Sequence, residues 1–231
     1  LVVASVKGFT QEISVQFVSV PVDRIIRFGQ VPDTVSADGA TLSRVTVIVS
    51  PELLGEDNPT VLFETTLGTF ASARTDVRQL SVVLGGDNEA SAFLRSPNQV
   101  GQGLLSTEVG GFIQTQTVVF ERAEPDTILV TVGQFQISAN DQMLIEAELI
   151  RNENRGTVTV NTEVAFSALD SFGQALDQAK FFNTTRSDAD GRATTVFTPD
   201  GSAYRGLVDI RVKPARGDTS AVGWGQVRIV D

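Results

Sequence analysis

The chain has 231 residues, 41% of them apolar, enough for one large or two ordinary domains with sizeable cores. Its 28 acidic residues outnumber the 18 basic ones and leave a net charge of −10, which disfavours nucleic acid and anionic lipid as partners. Cysteine and histidine are both absent, so disulfides, thiolate nucleophiles, Cys/His zinc sites and histidine relays are excluded.

The opening run Leu1 to Gly8 is too short for a signal peptide and carries Lys7 after its apolar stretch. No segment approaches the roughly 18–20 apolar residues of a spanning helix, so no membrane insertion is expected from it. If the protein is exported, the export signal is expected outside this sequence. Residues 1–25 instead recur at an offset of 103. Leu1, Val6, Gly8, Phe9, Gln11, Val15, Phe17, Asp23 and Ile25 are repeated at 104, 109, 111, 112, 114, 118, 120, 126 and 128. Chance gives about one or two such identities in 25. A unit of that length matches a small β-sandwich.

Residues 1–20 therefore read as the C-terminal hairpin of a preceding domain, with Ile13, Val15 and Phe17 on one face. Upstream sequence completes that hairpin on this reading; strands donated by another subunit are the alternative. Residues 21–123 and 124–231 read as two complete domains. Their junctions are Val20 to Asp23 and Ala123 to Asp126, and the residues expected there are Phe17, Pro21, Asp23, Phe120, Pro125 and Asp126. Proline in each short junction predicts semi-rigid coupling.

Along both domains the apolar period is two, as in sheets with one buried face. Val45, Val47 and Val49 alternate, as do Val208, Ile210 and Val212. Residues 158–166 put Val158, Val160, Val164 and Phe166 on one face of a predicted strand. Turn signals at 37–39, 85–88, 188–191 and 199–201 separate the runs. The stretch from Gly173 to Lys180 is too short for a helix and reads as a loop or strand edge. The expected class is all-β: two sandwiches joined end to end and preceded by a partial domain, a terminal hairpin.

Individual motifs add little chemistry. Asp188-Ala189-Asp190-Gly191 spaces two carboxylates like the start of a calcium loop, but the later ligands are missing and Asn88 stands where Gly191 does in the other repeat. A hairpin turn with Gly191 left-handed is the reading preferred. Glu146 and Glu148 share one strand face and read as solvated charge, not as a hydrolytic pair. Lys7 and Lys213 occupy equivalent positions and read as solvated, not as isopeptide donors. Trp224 lies between glycines and reads as buried; Tyr204 reads as exposed. No cofactor, metal or catalytic residue is expected.

The order of segments carries a resemblance. Val35-Ser36-Ala37-Asp38-Gly39-Ala40-Thr41 leads into the Val45–Val49 strand, followed by Val61 to Phe70, Asn88 to Leu94 and the closing strands of 103–121. Weaker counterparts are Ala139-Asn140-Asp141, Val164-Ala165-Phe166 and Asp190 to Val196. This resembles tandem bacterial immunoglobulin-like domains of group 1, the invasin/intimin type. The resemblance implies an extracellular, cell-surface stalk module of an adhesin or appendage, partnered by neighbouring Ig-like domains of its own chain. The alternatives are a module binding a surface protein or glycan receptor through end loops of the second domain, or a subunit of a self-assembling filament. The final hairpin is longer by about six residues than its counterparts, which places an insertion at Pro214 to Val222 and marks Tyr204, Arg216 and Asp218 as contact-loop candidates.

Overall fold

The computed structural model describes residues 2–7, 9–13, 19–51, 59–152, 155–182, 185–216 and 220–231. The expectations for Val15, Phe17 and Asp218 fall outside the described residues. A hairpin of β1 (Val2–Val6) and β2 (Phe9–Ile13) comes first, then a short helix, α1 (Val22–Ile25), begun by Pro21 as its N-cap residue. The sequence showed no period for that single turn.

Two β-sandwiches follow. The first sets a five-stranded sheet against a four-stranded one. The former orders β4 (Thr34–Ala37), β11 (Phe112–Arg122), β10 (Gly101–Val109), β6 (Thr60–Thr65) and β8 (Gln79–Val83). The latter orders β3 (Ile26–Gln30), β5 (Leu42–Val49), β9 (Glu89–Arg95) and β7 (Thr69–Phe70). In the second sandwich one sheet orders β13 (Gln136–Ser138), β19 (Gly223–Val230), β18 (Gly206–Pro214) and β15 (Val164–Asp170). The other orders β12 (Thr127–Val132), β14 (Met143–Ile150), β17 (Arg192–Thr198) and β16 (Lys180–Phe182).

The two wirings correspond in order, except that β8 adds a fifth strand beside β6 in the first sandwich and no strand takes that place beside β15 among the described residues. In each, a short strand pairs in parallel with the last strand, β4 with β11 and β13 with β19, while the long hairpins are antiparallel. Alternation buries one side chain in two. Val45, Val47 and Val49 line the first core around Phe63 and Phe70, whose rings meet edge to face at 5.9 Å. Val208, Ile210 and Val212 line the second, where Phe181 packs between Phe166 and Phe197. The pairing of β1 with β2, Val6 opposite Phe9 and Val2 opposite Ile13, is the β10–β11 pairing displaced by 103.

Three expectations change. Val158 to Glu163 is not the start of a strand: the ladder begins at Val164, because Asn161 sits at φ +62° and Thr159 and Thr162 bond elsewhere. Phe120 is a core residue, 2% exposed, with its ring against Gly103. The extra length of the last hairpin also divides. Phe63 faces Thr107 and Phe166 faces Val212, so β18 is offset by 105; Gly103 faces Val118 and Val208 faces Val227, so β19 is offset by 109. Two extra residues thus precede β18 and four lie in the connection. A slip of two leaves the inward face unchanged, which is why an ungapped match at 103 looked sound.

Candidate functional site at the junction between the sandwiches

The four residues between β11 and β12, Ala123 to Asp126, are stitched on both sides. The Ala123 N–H donates to Thr159 Oγ1 at 2.7 Å, and the Thr159 N–H donates back to the Ala123 carbonyl at 3.2 Å. Ala123 and Pro125 are buried. Asp126 holds the foot of the β14–β15 connection: Oδ2 accepts the Asn152 N–H at 2.8 Å and Oδ1 accepts from Arg155 at 3.4 Å.

Within that connection, which spans 151–163, the described residues 155–162 form a strap laid against the loops at one end of the first sandwich. Thr157 donates its N–H to the Asp38 carbonyl at 2.9 Å, and Thr159 Oγ1 donates to the Ala37 carbonyl at 2.7 Å. The Val160 N–H is shared between the carbonyl and the side-chain oxygen of Asn98, at 3.2 and 3.1 Å. Gly156, at φ +75°, crosses the Asp38 carbonyl so closely that a Cβ there would lie 2.5 Å from the oxygen. Only glycine combines that backbone with that approach.

Asp38 is the hub. It is 1% exposed, in the turn between β4 and β5. Its Oδ1 accepts the N–H groups of Ala40 and Thr41 at 2.9 and 2.8 Å and the Ser96 hydroxyl at 2.7 Å. Oδ2 accepts the Thr41 hydroxyl at 2.6 Å and, from the second sandwich, Arg151 Nη1 at 3.1 Å. Burial pushes the carboxyl up, but the hydroxyl and N–H of Thr41, the Ser96 hydroxyl and the Ala40 N–H outweigh it and hold it below its ordinary value. The Arg151 side chain is itself 6% exposed. A buried ion pair therefore spans the two units, and losing one partner would leave the other charge buried and uncompensated.

Of the junction residues expected from sequence, Pro125 and Asp126 take part as described. Pro21 and Asp23 are exposed where the first sandwich begins, and Phe120 is core. Asp38, Asn98, Arg151, Gly156, Thr157 and Thr159 were not anticipated. The Asp-x-x-Thr spacing at 38–41 announces a side-chain-capped turn, but nothing local announces the arginine 113 positions away.

The contact-loop candidates separate. Tyr204 precedes β18 and Arg216 follows it, so the nine-residue strand sets them roughly 30 Å apart. Tyr204 is half-buried rather than exposed, its hydroxyl donating to the Leu207 carbonyl at 2.8 Å. Arg216 is exposed on the junction side, 3.9 Å from Glu163. Trp224 is 54% exposed, not buried: Gly223 and Gly225 take the inward positions, where a Cβ would come within 2.7 to 2.9 Å of Ile128 and Val130. The glycines do mark close packing, but alternation turns the indole the other way. Asn88 and Gly191 are both left-handed and their carbonyls accept from Val49 and Leu149, so 188–191 is the hairpin turn. Arg192 lies between Glu146 and Glu148 at 3.5 and 3.9 Å, on a solvated face. Among the described residues no helix is long and apolar enough to cross a membrane.

The adhesin InvE of Yersinia pseudotuberculosis shares this architecture, with a TM-score of 0.61 over 91% of the present chain at 16% identity. The fold is that of invasin/intimin-type bacterial immunoglobulin-like domains. This chain spans 60% of the InvE structure's length, and at that identity the likeness is one of fold. InvD of the same species aligns over 91% of this chain and 58% of its own, with a TM-score of 0.43 and 17% identity. A tetra-tandem repeat from the extending region of a large adhesion protein aligns over 88% of this chain and 48% of its own, with a TM-score of 0.47 and 16% identity. No protein-family model matches this sequence, and no curated protein matches it.

Proposed function

We propose that the chain is a spacer segment of a bacterial cell-surface adhesin or extracellular appendage, organised as a closing hairpin (1–20) and two Ig-like domains (21–123 and 124–231). The observation that carries this reading is the junction: a buried Asp38–Arg151 pair and hydrogen bonds from one strap to the Ala37, Asp38 and Asn98 carbonyls hold two sandwiches that a four-residue linker alone would leave free to swing. A module whose task is reach needs that stiffness, and its net charge of −10 keeps neighbouring stalks apart. The displaced β10–β11 register of the β1–β2 hairpin supports the string of units. The fold shared with InvE, an adhesin by its name, supports the surface setting.

Residual dipolar couplings on the 231-residue chain test the rigidity. One alignment tensor is expected to fit both sandwiches, and Arg151→Ala with Thr159→Val is expected to split it into two. Two tensors in the unaltered protein would sink the spacer reading.

A further inference from the structure

The sheet β13-β19-β18-β15 turns its outer face to solvent, and three cross-strand pairs stand in a row on it. Arg211 is opposite Trp224, Asp209 opposite Gln226, and Leu207 opposite Arg228. Gln226 Nε2 donates to Asp209 Oδ1 at 2.9 Å, which fixes an amide and a carboxylate beside the indole. Arg211 leans the other way, its Nε donating to Ser167 Oγ at 3.3 Å. Among the described residues no aromatic ring stacks on Trp224, the one tryptophan of the chain. Asp209, Trp224, Gly225 and Gln226 line an open depression of about 570 Å³, within the size range of small-molecule sites.

We propose that this face is a subsite for a neutral oligosaccharide. An uncovered indole offers a flat apolar surface to the C–H face of a pyranose, and the neighbouring pair offers an acceptor carboxylate and an amide to its hydroxyls. Successive pairs on one strand face are roughly 7 Å apart, a step that a single sugar ring bridges. Asp209 sets its carboxylate in the depression beside the indole, while Arg211 is turned to Ser167 and Arg228 lies one pair beyond, so a phosphate or sulfate would meet a like charge there. One aromatic set among polar groups is also unlike the packed apolar centre of a protein interface. The site lies on the sheet face, away from the strap, and is independent of the spacer reading.

Because the protein has one tryptophan, its emission reports this site alone. Chitotetraose, cellotetraose and maltotetraose are titrated to about 10 mM, the range of weak single-ring recognition. At least one is expected to shift the emission saturably, and Asp209→Asn and Gln226→Leu are each expected to weaken that binding about tenfold. Trp224→Ala is expected to abolish the calorimetric signal at an unchanged melting temperature. Unchanged emission with all three sugars overturns the proposal, as does wild-type affinity in Asp209→Asn. An emission shift that follows protein concentration instead of sugar overturns it too, by placing a second copy over the ring.

Discussion

At Asp38 one carboxylate serves two structural levels, capping its own turn through Ala40 and Thr41 and receiving Arg151 from the neighbouring unit. Its folded pKa lies below the unfolded value of about 3.9, so protons bind the unfolded chain more readily. The stabilisation it gives is complete above about pH 4 and drains away as pH falls through the lower folded value. Urea midpoints measured from pH 6 down to pH 2 are therefore expected to fall more steeply in the wild type than in Asp38→Asn. Near pH 7 that variant is expected to be about 3 kcal/mol less stable, since a buried cation loses its partner. Equal pH slopes for the two proteins would refute the assignment. Trp224 shows the opposite kind of residue-level lesson. The inward positions of Val227 and Ile229 already implied inward glycines at 223 and 225, so the alternation held the answer that the glycine neighbours obscured.

At the scale of elements, the strap explains a failure of periodicity. Val158 and Val164 are both buried, which satisfies a period-two pattern, yet the backbone between them leaves the ladder to bond the first sandwich. A two-residue pattern records burial; it does not record which partner does the burying. Gly156 is the element's tightest point. Gly156→Ala is expected to lose about 2–4 kcal/mol, combining left-handed strain with a clash at the Asp38 carbonyl. Gly111→Ala, at φ +82° with no atom within 4 Å of the new Cβ, isolates the strain and is expected to lose only about 1–2 kcal/mol. Equal losses in thermal unfolding would show that the strap does not press on the turn.

At the scale of the whole molecule, two separate cores are joined by polar contacts. Ile26 to Phe120 supply one cluster and Ile128 to Ile229 the other, with no shared buried side chain among the described residues. Phe63→Ala is expected to destabilise the first sandwich by about 3–5 kcal/mol. Circular dichroism follows both sandwiches, whereas tryptophan emission follows the second alone, because Trp224 lies there. In Phe63→Ala the dichroism transition is expected to move down and broaden while the emission midpoint moves by less. Coincident shifts would mean that the two units unfold as one.

The amino-acid sequence by itself determined the class of structure, the repeated unit and the acidic surface. Strand alternation, turn residues and net charge are local or additive properties, and Val45 to Val49 or Val208 to Val212 display them without reference to anything distant. The tertiary structure decided the partnerships: Asp38 with Arg151, Thr159 with Ala37, and the outward indole beside Asp209 and Gln226. Each joins residues from separate elements, some more than a hundred positions apart. A buried charge declares that it needs a counterpart, but only the packed fold says which one.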